Sequence, residues 1–204
     1  MSPAHVLEPT YRRLKRALME GLWPGGAKLE AMRLAEDFGV SMTPVRDSLN
    51  QLVGEGLVDL TPGEGFRVPP LTEQRLRDLL DVNSALLKTA NTANWRLPTE
   101  DGPVFIGNEY ADRLAAAFSL LATGSGNRVL ADIVDRISER LHLLRSREPE
   151  VLPEVNESLK QIEAGLNGSR TDRHLAVVRY HRQCQGCVPQ LINCLAKVGG
   201  GGAT

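Results

Sequence analysis

The sequence predicts a mainly α protein, with an N-terminal winged helix-turn-helix (three helices plus a β-hairpin) followed by an all-α helical bundle domain. Two observations predict it. Residues 1–70 mix helical and strand signals around glycine-rich turns, whereas everything beyond them is helical in pattern. The division between the two falls at Val68-Pro69-Pro70-Leu71-Thr72, where two prolines stop regular structure and Thr72 can cap a new helix through its hydroxyl. The expected domains are 1–70, 71–198 and a disordered Gly-rich tail, 199–204.

In the first segment Tyr11, Leu14, Leu18 and Leu22 recur at helical spacing, with Arg12, Arg13, Lys15 and Arg16 on the other faces. Trp23-Pro24-Gly25-Gly26 is expected to end that helix. A second, short helix is expected from about Ala31 to Phe38, with Gly39 as its left-handed stop. Val40-Ser41-Met42-Thr43-Pro44 turns the chain, Ser41 or Thr43 can cap a third helix, and Pro44 is tolerated in a first turn, where its missing N–H has no intrahelical partner. That helix carries Val45, Leu49 and Leu52 inward and ends near Gly54-Glu55-Gly56. Leu57–Leu60 and Phe66–Val68 then flank Thr61-Pro62-Gly63-Glu64-Gly65, the pattern of a β-hairpin. Three helices with a tight turn between the second and third, then a hairpin, make the winged motif, whose third helix enters a DNA major groove.

After the boundary, Leu71–Trp95 is a long amphipathic stretch carrying Leu76, Leu79, Leu80, Val82 and Leu86. Pro98–Gly107 is expected to be a loop. Further helices are expected at 108–123, 127–147, 153–166, 171–185 and 189–198, broken at Gly124-Ser125-Gly126, Glu148-Pro149 and Gly168-Ser169.

Composition excludes several classes. A 42% hydrophobic, 24% charged chain can build a core, which argues against global disorder. No apolar run approaches the roughly 20 residues of a membrane span, and the start lacks the layout of a signal peptide, so a cytoplasmic location is expected. Three cysteines bunched at 184, 187 and 194 do not read as a disulfide framework. Residues 1–70 hold eight Lys/Arg against nine Asp/Glu, so any basic DNA-facing surface must be local.

At this level of detail the sequence resembles the GntR family, in the FadR-type branch whose effector domain is called FCD. The resemblance is carried by Leu29, Leu34-Ala35-Glu36, Phe38-Gly39-Val40-Ser41, Thr43-Pro44-Val45-Arg46-Asp47, Leu49, Leu52, Glu55-Gly56-Leu57-Val58, Pro62-Gly63, Gly65-Phe66 and Val68. It implies a homodimeric, ligand-responsive transcriptional regulator on a two-fold symmetric double-stranded operator. It also implies DNA contacts from Ser41, Thr43 and Arg46, with Gly65 at the wing. The chemistry agrees: Arg46 can chelate guanine O6 and N7, and the hydroxyls can hold phosphates. The family's arginines fall on Met42 and often Met32 here, Arg33 is the nearest compensating cation, and the wing tip carries Glu64 where a basic residue is common. These departures motivate the alternative, a GntR-like protein-interaction module with weakened DNA binding.

The second domain resembles a shortened FCD domain lacking a helix between residues 95 and 108. The family's metal ligands fall on Leu114, Phe118, Ser158 and His181, of which only His181 can ligate, so no metal and no cofactor are expected. The arginine and glutamate of the first FCD helix fall on Asn83 and Leu87. Asn83, Tyr180 and His181 are the candidate effector-pocket residues, for an unidentified small molecule. His181, Cys184, Cys187 and Cys194 also form H-x2-C-x2-C-x6-C, but three of these on one helix lie along a line, which suits buried thiols better than tetrahedral zinc. Arg173 and His174 open a late helix and are expected to be solvated, and His142 to be packed. Four histidines and no nucleophile elbow, phosphate loop or dinucleotide fingerprint argue against an enzyme.

Overall fold

Leu14 and Leu18 lie on the buried side of helix α1 (Pro3–Met19), and Gly21 ends it in the left-handed conformation at φ +76°. The helix stops before Leu22, which is 66% exposed instead of continuing the apolar stripe. Helix α2 (Ala31–Phe38) buries Leu34 and Ala35. Gly39 follows at φ +66°, a left-handed conformation that residues with a Cβ rarely adopt, and the Val40 N–H returns to the Ala35 carbonyl to close the turn. Helix α3 (Met42–Glu55) begins after Ser41, which sits in the N-cap position without a side-chain cap bond, and directs Val45, Leu49 and Leu52 into the core. The structure, a computed structural model, describes residues 3–97 and 109–199, with side chains over 7–97 and 109–196. It falls into two units, Met1–Leu71 and Thr72–Thr204.

The hairpin is β2 (Asp59–Thr61) and β3 (Gly65–Arg67), and a strand the sequence did not announce, β1 (Lys28–Leu29), completes an antiparallel sheet of order β1-β3-β2. Leu29 pairs with Phe66 and Leu60 pairs with Phe66 from the other side. Leu57 and Val58, expected within the hairpin strand, are instead buried in the core just ahead of it. Tyr11 Oη donates to Glu55 Oε1 at 2.8 Å and Lys15 Nζ lies 3.0 Å from Glu55 Oε2, tying α1 to α3. The Arg13 guanidinium stacks 4.0 Å over the Phe38 ring and ties α1 to α2.

Among the described residues of the second unit the regular elements are all helices: α4 (Glu73–Ala90), α5 (Tyr110–Thr123), α6 (Arg128–Val151), α7 (Val155–Leu166), α8 (Arg170–Gly186) and α9 (Val188–Gly199). Thr72 Oγ1 accepts from the Arg75 N–H, Asn127 caps α6, and Ser169 with Asp172 forms a reciprocal capping box on α8. α5 packs on α6 and α7, while α4 packs on α6, α8 and α9. α4 ends at Ala90 and not near Trp95, and Val82, expected on its apolar side, is 49% exposed. α6 runs past the break expected at Pro149, and the Leu152 N–H still returns to the Glu148 carbonyl at its end. Trp95 donates from Nε1 to the Leu121 carbonyl and covers Gly124 so closely that a Cβ on it would lie 2.4 Å from the indole. The expected loop 98–107, the missing helix between 95 and 108, and the tail after Gly199 lie outside the described residues.

Candidate functional site

α3 presents two exposed rows beyond its buried side: Met42, Arg46 and Asn50 at four-residue intervals, and Thr43 with Asp47 beside them. Ser41 is exposed just ahead of the helix, and Arg33 is exposed on α2. Met42 is 46% and Met32 64% exposed. At the hairpin Gly65, at φ +87°, opens β3, and Glu64 Oε2 lies 3.4 Å from Arg67 Nε. Leu60, on β2, is 48% exposed. The structure thus places Ser41, Met42, Thr43 and Arg46 together at one helix start, with Arg33 on the neighbouring helix and Gly65 apart on the hairpin. Chemically this surface offers two arginines, hydroxyls and two thioethers, with its wing cation already engaged by a carboxylate.

In the helical unit the three effector-pocket candidates come together, and all are buried: Asn83 at 0%, Tyr180 at 1% and His181 at 4% exposure. Burial holds the His181 imidazole well down, at about 3, so it is neutral. Its Nδ1 lies 2.8 Å from the Val177 carbonyl, which can only accept, so the single ring proton sits there. Nε2 is then an acceptor, 3.0 Å from the Asn83 Oδ1, and it needs a donor. Turning the Asn83 amide over would supply one, but Arg145 Nη2 uses the same oxygen at 3.4 Å. As placed, His181 Nε2 is left without a donor; with the amide turned, Arg145 Nη2 is left without an acceptor.

Arg145 and Glu148 are the residues sequence reasoning missed. Both are fully buried in α6, at helical spacing with Val134, Ile137 and Leu141, and that charge on an apolar face was the available signal. Glu148 accepts from Tyr110 Oη and Tyr180 Oη, each at 2.8 Å, and burial raises its carboxyl above the ordinary range against the pull of Arg145. Arg145 Nε and Nη1 have no partner, while its guanidinium lies 5.1 Å from the Phe118 ring centre.

Leu114 and Phe118 are fully buried and apolar, and Ser158 donates to Gln183 Oε1 at 2.9 Å beside a groove of about 310 Å³ lined also by Glu154, Arg179 and Arg182. Burial pushes the Cys184 thiol up, keeping it protonated, and Cys194 donates to Glu150. Among the described residues no group of three His, Cys, Asp or Glu side chains is placed to hold a metal ion. Arg173, expected to be solvated, is buried: it donates to Asn91 Oδ1 at 2.9 Å and to the Gly168 carbonyl, and stacks 4.0 Å over Trp95. His174 beside it is exposed, and His142 is half-buried, 3.8 Å from Asp112. Among the described residues no helix is long and apolar enough to cross a membrane.

Comparison with known proteins bears on the first unit above all. Residues 8–68 match the family of bacterial regulatory proteins named gntR. The HTH-type regulator YdhC of Bacillus subtilis is 24% identical over 66% of this chain and 67% of its own. The repressor GlaR of Escherichia coli is 34% identical over 36% of this chain and 34% of its own. The chain thus spans about a third of GlaR and two thirds of YdhC. Among solved structures, E. coli McbR/YncC has a TM-score of 0.65 at 20% identity, covering 90% of this chain and 97% of that one. A GntR-type regulator from Rhodococcus sp. RHA1 has a TM-score of 0.67 at 14% identity, with the same coverage. These likenesses extend the fold to both units, and residues 8–68 form a domain of the gntR family of bacterial regulatory proteins.

Proposed function

We propose that the protein is a DNA-binding transcriptional regulator that inserts α3 into the major groove of a two-fold operator. The carrying observation is that the family match runs through α3, whose first turns place Arg46 and Thr43 in solvent while the opposite face is core. Arg46, Thr43, Ser41 and Met42 supply the base and phosphate contacts, Arg33 adds a cation, and Gly65 lets the hairpin backbone approach the duplex. The helical unit acts as an FCD-like domain that dimerises and responds to a small molecule bound at Asn83, Tyr180 and His181, where the unpartnered Nε and Nη1 of Arg145 favour an acceptor-bearing ligand. No catalytic or metal role is assigned, and the site of action is the cytoplasm.

The test is binding of the full chain to duplexes from its own upstream region over a salt series. Arg46→Ala should weaken binding by roughly 1–3 kcal/mol per half-site and relax base preference. Unchanged affinity and salt slope in a folded Arg46→Ala variant would remove α3 from the role. The exposed Met32 and Met42 would then favour docking to another protein.

A further inference from the structure

We propose that Met42 is a base-reading residue that selects thymine in the operator half-site by packing on its 5-methyl group; the inference rests on α3 being the recognition helix. Met42 is the first residue of α3 and shares an outward row with Arg46 and Asn50. Neighbours in such a row are about 6 Å apart along the axis, close to two base-pair steps. A side chain next to Arg46 on that row therefore faces base edges whenever Arg46 does.

What Met42 can recognise there is narrow. A thioether carries no donor and is a weak acceptor, so it adds little to a phosphate or to the polar edges of guanine, cytosine or adenine. The apolar group that a base pair presents in the major groove is the thymine 5-methyl. Met42 is not needed by the core, which Val45, Leu49 and Leu52 fill from the other side, and 46% of its surface meets water. Covering that surface with a methyl gives back the hydrophobic stabilisation that exposure forgoes. Charge points the same way. With eight cations against nine carboxylates in residues 1–70, and Arg67 held by Glu64, phosphate attraction is weak and more of the affinity falls to base contacts.

The experiment enriches duplexes from a random library on the full-length protein. The recovered site is then resynthesised with uracil for each fixed thymine in turn, which deletes the methyl and keeps every hydrogen-bonding group. At one position per half-site uracil should weaken wild-type binding about fourfold, the worth of one buried methyl. Met42→Ala, at a surface position, should bind thymine and uracil duplexes alike there, and Met42→Arg should enrich guanine at that position. Enriched duplexes whose binding ignores every thymine-to-uracil change, or a Met42→Ala variant that still discriminates, would overturn the role of Met42 and leave DNA binding intact. A library that yields no enriched duplex would overturn the DNA-binding reading and this inference together.

Discussion

Arg145 is a cation with no exposed surface and two unpartnered nitrogens, and Glu148, one turn on, is equally buried. Desolvating such ions costs several kcal/mol each, and here their attraction is not reinforced by a full set of hydrogen bonds. The double variant Arg145→Met/Glu148→Gln keeps the volume and removes both charges. Its thermal unfolding free energy should match wild type or exceed it by about 1–4 kcal/mol, and a loss of that size would show that the pair holds the bundle together. His181 sets an acid limit. Unfolded, it takes a proton below its usual 6.5, whereas in the fold it stays neutral until about 3, so the unfolded state binds more protons between those values. Stability is therefore lost as pH falls through this window. Glu148, whose carboxyl is raised, acts in the opposite sense, holding its proton in the folded state. Comparing wild type with His181→Gln cancels that contribution. Between pH 6 and 4 the wild type should lose stability more steeply, by up to about 1.4 kcal/mol per pH unit, and equal slopes would show that His181 does not titrate on unfolding.

The wing and the helices show what periodicity and turn chemistry reveal, and what they do not. α2 and α3 were legible because Leu34-Ala35 and Val45-Leu49-Leu52 repeat at helical spacing and Gly39 marks the stop between them. β1 was not, since two residues cannot display a period, and its pairing with β3 spans nearly forty residues. Leu22 fitted the stripe of α1 in register, but a register does not say where a helix ends, and Gly21 ends it first. Arg173 looked solvated because its partners, Asn91 and Trp95, are about eighty residues away in sequence. At the wing the chemistry is readable directly. Glu64 both presents a negative charge and occupies Arg67. Glu64→Lys should therefore release one cation and add another, steepening the slope of log Kd against log salt by about 0.9 for each new phosphate contact. Base preference should stay as it was, because a backbone contact carries no sequence information. An unchanged slope would place the wing away from the phosphates.

At the level of the molecule, the assembly proposed for a two-fold operator reader needs a self-complementary face, and the described residues of the helical unit offer a candidate. The stripe Leu76-Leu79-Leu80 does not provide it, because all three side chains are buried within their own unit. The α6 stripe differs along its length: Ile137 is buried, whereas Val129 is 69% and Ile133 41% exposed, with Asp132 and Arg136 exposed beside them. Two copies of α6 crossing antiparallel about an axis near Ile133 would cover both apolar side chains and bring each Asp132 toward the partner's Arg136, as an isologous contact requires. Sedimentation of the wild type at micromolar concentration should then give a dimer. Val129→Lys/Ile133→Glu, both at exposed positions, should give a folded monomer by circular dichroism. That monomer should bind a single half-site but lose the gain in affinity that linking two half-sites confers. A wild type that sediments as a monomer would leave the chain without the symmetry that the proposed two-fold operator demands. A double variant that remains dimeric would move the interface to another face of the bundle.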